Sequence, residues 1–163
     1  PPHEAQPDEG GEPPHGDDRG AAMSERLTWL AGRAYGFGQA AEAAAIMVCV
    51  VQVNSDDGFA WQNLAFFHRE AGDVEAARAA YQRSYELLPD DPQVMNDYAV
   101  IHHYYLKNED ELALGLYRRA KERAQQMLDA GGLDAADQER ISVALRDATN
   151  NLKKLEAGNR RNF

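Results

Sequence analysis

Residues 58–91 read GFAWQNLAFFHREAGDVEAARAAYQRSYELLPDD, and their pattern decides the fold. Trp61, Leu64, Ala65 and His68 recur at the spacing of one helix face. Gly72 interrupts, and Ala76, Ala77, Ala80, Tyr81, Ser84 and Leu87 resume the same period until Pro89 stops it. The pattern predicts two helices joined by a tight turn. Asn54-Ser55-Asp56-Asp57-Gly58 supplies the turn before this hairpin, and Asp91 followed by Pro92 is a favourable start for the helix after it.

The same arrangement recurs on either side. A displacement of 34 residues carries Trp61 onto Met95, Leu64 onto Tyr98, Ala65 onto Ala99 and His68 onto His102. The following helix needs two extra residues, assigned to the turn around Leu106–Asp110, and then supplies Ala113, Tyr117 and Ala120. In the other direction Ser24 is the expected N-cap of a helix carrying Leu27, Leu30 and Ala31. Gly38 marks its turn, and Ala43, Met47 and Val50 lie beyond. Small residues at Ala31, Ala65 and Ala99 let the two helices of a hairpin approach closely, while Trp61, Tyr81 and Tyr117 fill the space between hairpins. No single hairpin covers its own apolar face, so neighbours must stack, and about three repeats are needed for a stable array. No segment shows the period-2 alternation of a strand, and the expected class is all-α.

The order of a large residue, Leu, a small residue and a ring on the first helix, then Gly at the turn, a small–aromatic–small series and a closing Pro, resembles the tetratricopeptide repeat. His68 stands where that family usually has Tyr, a flat replacement of tolerable size. The resemblance implies a right-handed superhelical stack of three hairpins, at about residues 24–57, 58–91 and 92–130. A capping helix over 134–157 completes a domain spanning 23–159. On that last helix Ile141, Leu145, Ala148, Leu152 and Leu155 are the expected buried face, with Gln138, Arg140, Arg146, Asn150, Lys153 and Lys154 in water.

Residues 1–22 contain Pro, Gly, Asp, Glu and His but no large apolar residue, so they are expected to form a disordered acidic linker, with a short tail at 160–163. The whole chain has 27 acidic against 17 basic residues, a net charge of −10, which repels phosphate backbones and acidic lipid surfaces and disfavours nucleic acid and membrane as partners. No run approaches the ~18 apolar residues of a membrane span. Neither is a signal-peptide pattern read, and the cytoplasm is the expected compartment, although the chain opens on Pro1 and the native start can lie upstream. The single cysteine, Cys49, lies in the apolar run Ile46–Val51 and reads as a small buried hydrophobe.

Candidate chemistry is sparse. Gly36-Phe37-Gly38-Gln39-Ala40-Ala41 matches the loose form of a dinucleotide loop, but it joins two helices instead of following a strand. His102 and His103 point about 100° apart on a helix and cannot share a ligand. His68 and His102 occupy equivalent repeat positions without a carboxylate or cysteine in register, and His3 and His15 stand in the tail, so no metal site, cofactor or catalytic residue is assigned. The expectation is a non-enzymatic protein–protein interaction module. The alternatives are a regulatory or docking domain of a larger enzyme or secretion and assembly factor, or a small enzyme using His68, His102 and His103.

In the tetratricopeptide family first helices line the concave face, where partners lie. The resemblance therefore implies a partner-binding set of Phe59, Gln62, Asn63, Phe66 and Arg69, then Asn96, Asp97, Val100 and His103. Gln93 and Tyr104 adjoin it, with Thr28, Gly32 and Tyr35 on the first hairpin. A subset of the family clamps a chaperone's C-terminal carboxylate with Lys, Asn and Arg. The corresponding positions here are Thr28, Gly32, Asn63, Gln93 and Asp97, of which only Asn63 matches. Asp97 and Glu70 favour a neutral or basic protein or peptide partner instead.

Overall fold

A computed structural model describes residues 16–107 and 110–159, and every regular element in them is helical. The helices are α1 (Gly16–Gly36), α2 (Ala40–Val53), α3 (Gly58–Glu70), α4 (Val74–Leu87), α5 (Pro92–Val100), α6 (Asp110–Ala130) and α7 (Ala135–Asn159). A π-helical turn, Ile101–Leu106, continues α5 without a break. Helices α1 and α2, α3 and α4, and α5 and α6 pack as hairpins; α3 also lies on α2, α5 on α4, and α7 on both α5 and α6.

Aspartates start most of the turns. Asp57 Oδ1 accepts from the Ala60 amide at 3.0 Å and Asp73 Oδ1 from Ala76 at 3.1 Å. Asp91 Oδ1 takes both Gln93 and Val94 amides, and Asp134 Oδ1 takes that of Asp137 at 2.8 Å. Each such cap contributes about 1 kcal/mol by satisfying amides that the helix cannot. Gly38, at φ 79, turns α1 into α2, so the glycine-rich stretch at 36–41 is an inter-helix turn.

The core follows the repeat register. Ala31, Ala65 and Ala99 are fully buried at the helix approaches, and Tyr81 and Tyr117 are fully enclosed between hairpins. Ser84 Oγ donates to the Gly58 carbonyl at 2.8 Å inside the central hairpin. Trp61 is only half-buried, its indole N–H donating to the Ser55 carbonyl at 2.9 Å.

Several expectations are corrected. Helix α1 begins at Gly16, inside the segment expected to be linker, so Ser24 is an interior helix residue and not an N-cap. The remainder of that segment, residues 1–15 with His3 and His15, and the tail 160–163 lie outside the described residues. Leu30, expected inside, is exposed, because among the described residues no hairpin lies on the face of α1 that corresponds to the buried Leu64 face of α3. Cys49 is also exposed: Ala43, Ala44, Met47, Val50 and Val51 take the buried face of α2 and rotate Cys49 away from it. The adjustment expected around Leu106–Asp110 begins earlier, in the π turn, where the Lys107 amide reaches the His102 carbonyl at 2.8 Å and Lys107 takes φ 55. A π turn admits an extra residue without ending the helix. Arg140, expected in water, is half-buried and ion-paired to Asp91 at 2.7 Å.

Candidate partner-binding wall

Helical period sorts α3 into two adjoining rows. Phe59, Asn63, Phe66 and Glu70 stand at i, i+4, i+7 and i+11 and form one ridge. Phe59, Asn63 and Glu70 are exposed and Phe66 is half-buried. Gln62 and Arg69 form the next row, which turns toward α5. Gln62 is buried and its Nε2 donates to Asp97 Oδ2 at 2.7 Å. The Arg69 guanidinium lies over Phe66, 5.1 Å from its centroid, and 5.9 Å from that of Tyr105. Toward α1, the Tyr35 hydroxyl donates to Glu70 Oε2 at 3.2 Å, and its ring meets Phe66 edge-on at 5.1 Å.

Asp97 collects the polar groups of three helices and the π turn. Its Oδ1 accepts from Asn96 Nδ2 at 3.2 Å, Asn96 Oδ1 from Asn151 Nδ2 at 3.1 Å, and Asn151 Oδ1 from the Tyr104 hydroxyl at 3.2 Å. The donors all run one way and end on the carboxylate, joined there by Gln62 from α3. Burial pushes the Asp97 carboxyl above its usual range, while the Gln62 and Asn96 hydrogen bonds and the Arg69 charge pull it back. The result is an acidic point in a wall made of amides and rings.

Two buried phenols lie within electrostatic reach of Asp97, and burial pushes both upward. Tyr117 Oη is 3.2 Å from His103 Nδ1, and His103 stacks on Tyr104 with centroids 4.0 Å apart. The Tyr81 hydroxyl is buried with no hydrogen-bond partner among the described residues.

The nine residues singled out from the sequence therefore divide. Gln62, Asn96 and Asp97 form one network, and Phe66 and Arg69 form a stacked pair beside it. His103 is tied to Tyr104 and Tyr117, and Val100 is half-buried against the core. Asn63 stands exposed on the α3 ridge, and Phe59 sits at the end of that ridge with the Arg140 guanidinium 5.3 Å from its ring. The amides of Gln62 and Asn96 are committed to the network, which leaves Asn63 as the exposed amide of the set. Sequence reasoning missed Asn151, Tyr105 and Arg140. Two belong to α7, expected as a cap with a broken-off fourth repeat as the alternative; Ala144 and Ala148 on its buried face are small residues of the kind a further first helix carries.

The other histidines are part of the packing. His102 is buried with its ring edge-on to Tyr98 at 4.8 Å, and His68 Nδ1 is 3.8 Å from Asp73 Oδ2. Among the described residues no three His, Cys, Asp or Glu side chains converge as a metal set would, and no helix is long and apolar enough to cross a membrane.

Residues 59–101 match the family model described as tetratricopeptide repeat. A search of curated protein sequences found no significant match. Among solved structures the fold is similar to PcrH, crystallised in complex with the chaperone-binding region of PopD. That match has 17% identity over 85% of this chain and 95% of PcrH, with a TM-score of 0.69. It is also similar to the type III secretion translocator chaperone SycD of Yersinia enterocolitica, at 15% identity over 86% of this chain and 88% of SycD, TM-score 0.68. A third likeness is the first repeat domain of Spaghetti (RPAP3) bound to the HSP90 peptide SRMEEVD. There the identity is 13% over 84% of this chain and 93% of that one, TM-score 0.65. The repeat is matched at the centre of the chain, and the stack of hairpins on either side has the fold of tetratricopeptide repeat proteins.

Proposed function

We propose that this chain is a non-catalytic docking module that holds an extended peptide, or an extended segment of a partner protein, along the wall formed by α1, α3, α5 and α7. The observation that carries the reading is the one-way hydrogen-bond chain from Tyr104 through Asn151 and Asn96 to Asp97. It spans the last two first-helix positions, holds the wall rigid, and leaves an anion at its end. Rigid aromatic side chains beside it (Tyr35, Phe59, Phe66, Tyr105) supply contact area at low entropic cost, and the exposed Asn63 amide suits a peptide backbone. PcrH and the Spaghetti domain, which share the fold, hold a PopD region and an HSP90 peptide. The HSP90 peptide ends in acidic residues. In this chain the cationic clamp positions are Thr28, Gln93 and Asp97, and the net charge is −10, so the reading is a neutral or basic guest whose Lys or Arg side chain reaches Asp97.

Selection of a random linear peptide library on the immobilised full chain tests this. Enriched sequences are expected to carry Lys or Arg at one fixed position. Asp97→Asn is expected to abolish that preference and weaken the selected peptides about 10- to 100-fold. Enrichment of peptides with an acidic C-terminus, or indifference to Asp97→Asn and Asn63→Ala, would overturn it.

A further inference from the structure

The two ends of the stack are not alike. At the C-terminal end α7 covers α5 and α6 and shows water the polar Gln138, Arg146, Asn150, Lys153 and Lys154. At the other end α1 presents Met23, Trp29 and Leu30, and the turn that follows it presents Phe37, the last 73% exposed and Trp29 63%. Repeat register says what this surface is for. Arg26, Leu30 and Arg33 are the counterparts, 34 residues earlier, of Ala60, Leu64 and Phe67, and all three of those are buried where α3 meets the preceding hairpin. The outward face of α1 is therefore a stacking face, and no described element lies on it.

We infer that this face is covered by a second copy of the chain, in a two-fold symmetric dimer that joins the α1 helices of the two stacks. Two observations select this occupant. First, Met23 and Leu30 stand seven residues apart on α1, the spacing of a packed helix seam, and Phe37 extends the row from the turn one residue past the helix end. An antiparallel copy crossing at Leu30 puts Leu30 on Leu30 and each Phe37 against the other chain's Met23, so one surface serves as its own complement. Sulfur against an aromatic ring is a favourable contact. Second, at about 200–250 Å² for a fully exposed large side chain, the exposed parts of these four residues amount to about 500 Å². Two copies pool on the order of 1,000 Å² before the polar rim is counted, which is the range of a weak but specific interface. Arg33 stacks its guanidinium over both Trp29 and Phe37, at 5.5 and 5.3 Å, so it packs as part of the aromatic surface.

The dimer uses the Leu30 face of α1 and the wall uses the Tyr35 face, which meets α3, so the two proposals fail separately. Sedimentation equilibrium of the full chain across roughly 1–200 µM, the range expected of so small an interface, is expected to show reversible doubling of mass. Leu30→Glu, at the symmetry centre, and Phe37→Glu, at the most exposed position, are each expected to weaken the dimer at least roughly 30-fold, as loss of a central anchor does. Both should keep the wild-type helical circular dichroism and bind groove-selected peptides as before. In a Cys49→Ser background, mixing Met23→Cys with Phe37→Cys is expected to give a disulfide-linked heterodimer on oxidation. A wild-type chain that stays monomeric at 200 µM, or a dimer unaffected by both Glu substitutions, would overturn the inference, including the case in which a different protein covers α1.

Discussion

Tyr81 and Tyr117 occupy equivalent positions in successive repeats, both fully buried, yet their hydroxyls differ in circumstance. Tyr117 meets His103 at 3.2 Å, whereas Tyr81 has no hydrogen-bond partner among the described residues. A buried polar group without a partner costs about 1–3 kcal/mol, while an ordinary hydrogen bond contributes about 1 kcal/mol net. Tyr81→Phe is therefore expected to leave stability unchanged or raise it by up to about 1 kcal/mol, and Tyr117→Phe to lower it by about 1 kcal/mol. Urea unfolding of the two variants side by side would check this; a larger loss at Tyr81 than at Tyr117 would contradict it. Residue identities of this kind were readable in the sequence as core, because spacing marks a buried face. Their hydrogen bonds were not, because partners such as His103 are set by the packing of α5 on α6. Cys49 marks the limit of such reading: the apolar run around it hides the face it shares with the exposed Glu42 and Gln52, seven residues before it and three after.

At the scale of the element, the central hairpin closes so tightly that one position tolerates nothing larger than hydrogen. A Cβ at Gly58 would lie 2.5 Å from Leu88 Cγ and 3.2 Å from Leu87 Cβ. Gly115 sits in the exposed interior of α6 with nothing near the place a Cβ would take. Gly58→Ala is expected to lower stability by about 1–3 kcal/mol through forced displacement of the α4 end. Gly115→Ala should raise it by about 0.5–1 kcal/mol through helix propensity alone. Opposite shifts in midpoint of thermal unfolding would bear this out, and equal behaviour would show that the hairpin has slack. The helix starts were legible because Asp57, Asp73, Asp91 and Asp134 are strong caps. The π turn was not: the surplus of two residues was visible in the register, but whether a helix loops out or widens into a π turn depends on what its far face must reach, here Tyr104 toward Asn151.

For the whole molecule, stability passes from hairpin to neighbouring hairpin, and α7 both ends the stack and completes the wall. It packs on α5 and α6, supplies Asn151 to the Asp97 network, and sends Arg140 to Asp91 and over Phe59. Deletion of residues 134–163 is expected to expose that apolar surface and destroy cooperative unfolding of the third hairpin. Circular dichroism melts and dye binding to exposed apolar surface would register both. An unaltered melt would make α7 an ornament. The sequence by itself determined the repeat, the all-helical class and the tyrosines that fill the space between hairpins, since all of these follow from local period and from caps and breakers a few residues apart. Only the tertiary structure decided which polar residues are spent on one another, that α7 belongs to the wall, and that the α1 face stands open. Those depend on contacts between residues 35 to 55 positions apart in the chain, such as Gln62 with Asp97 and Asn96 with Asn151, and no local pattern encodes the partner at such distance.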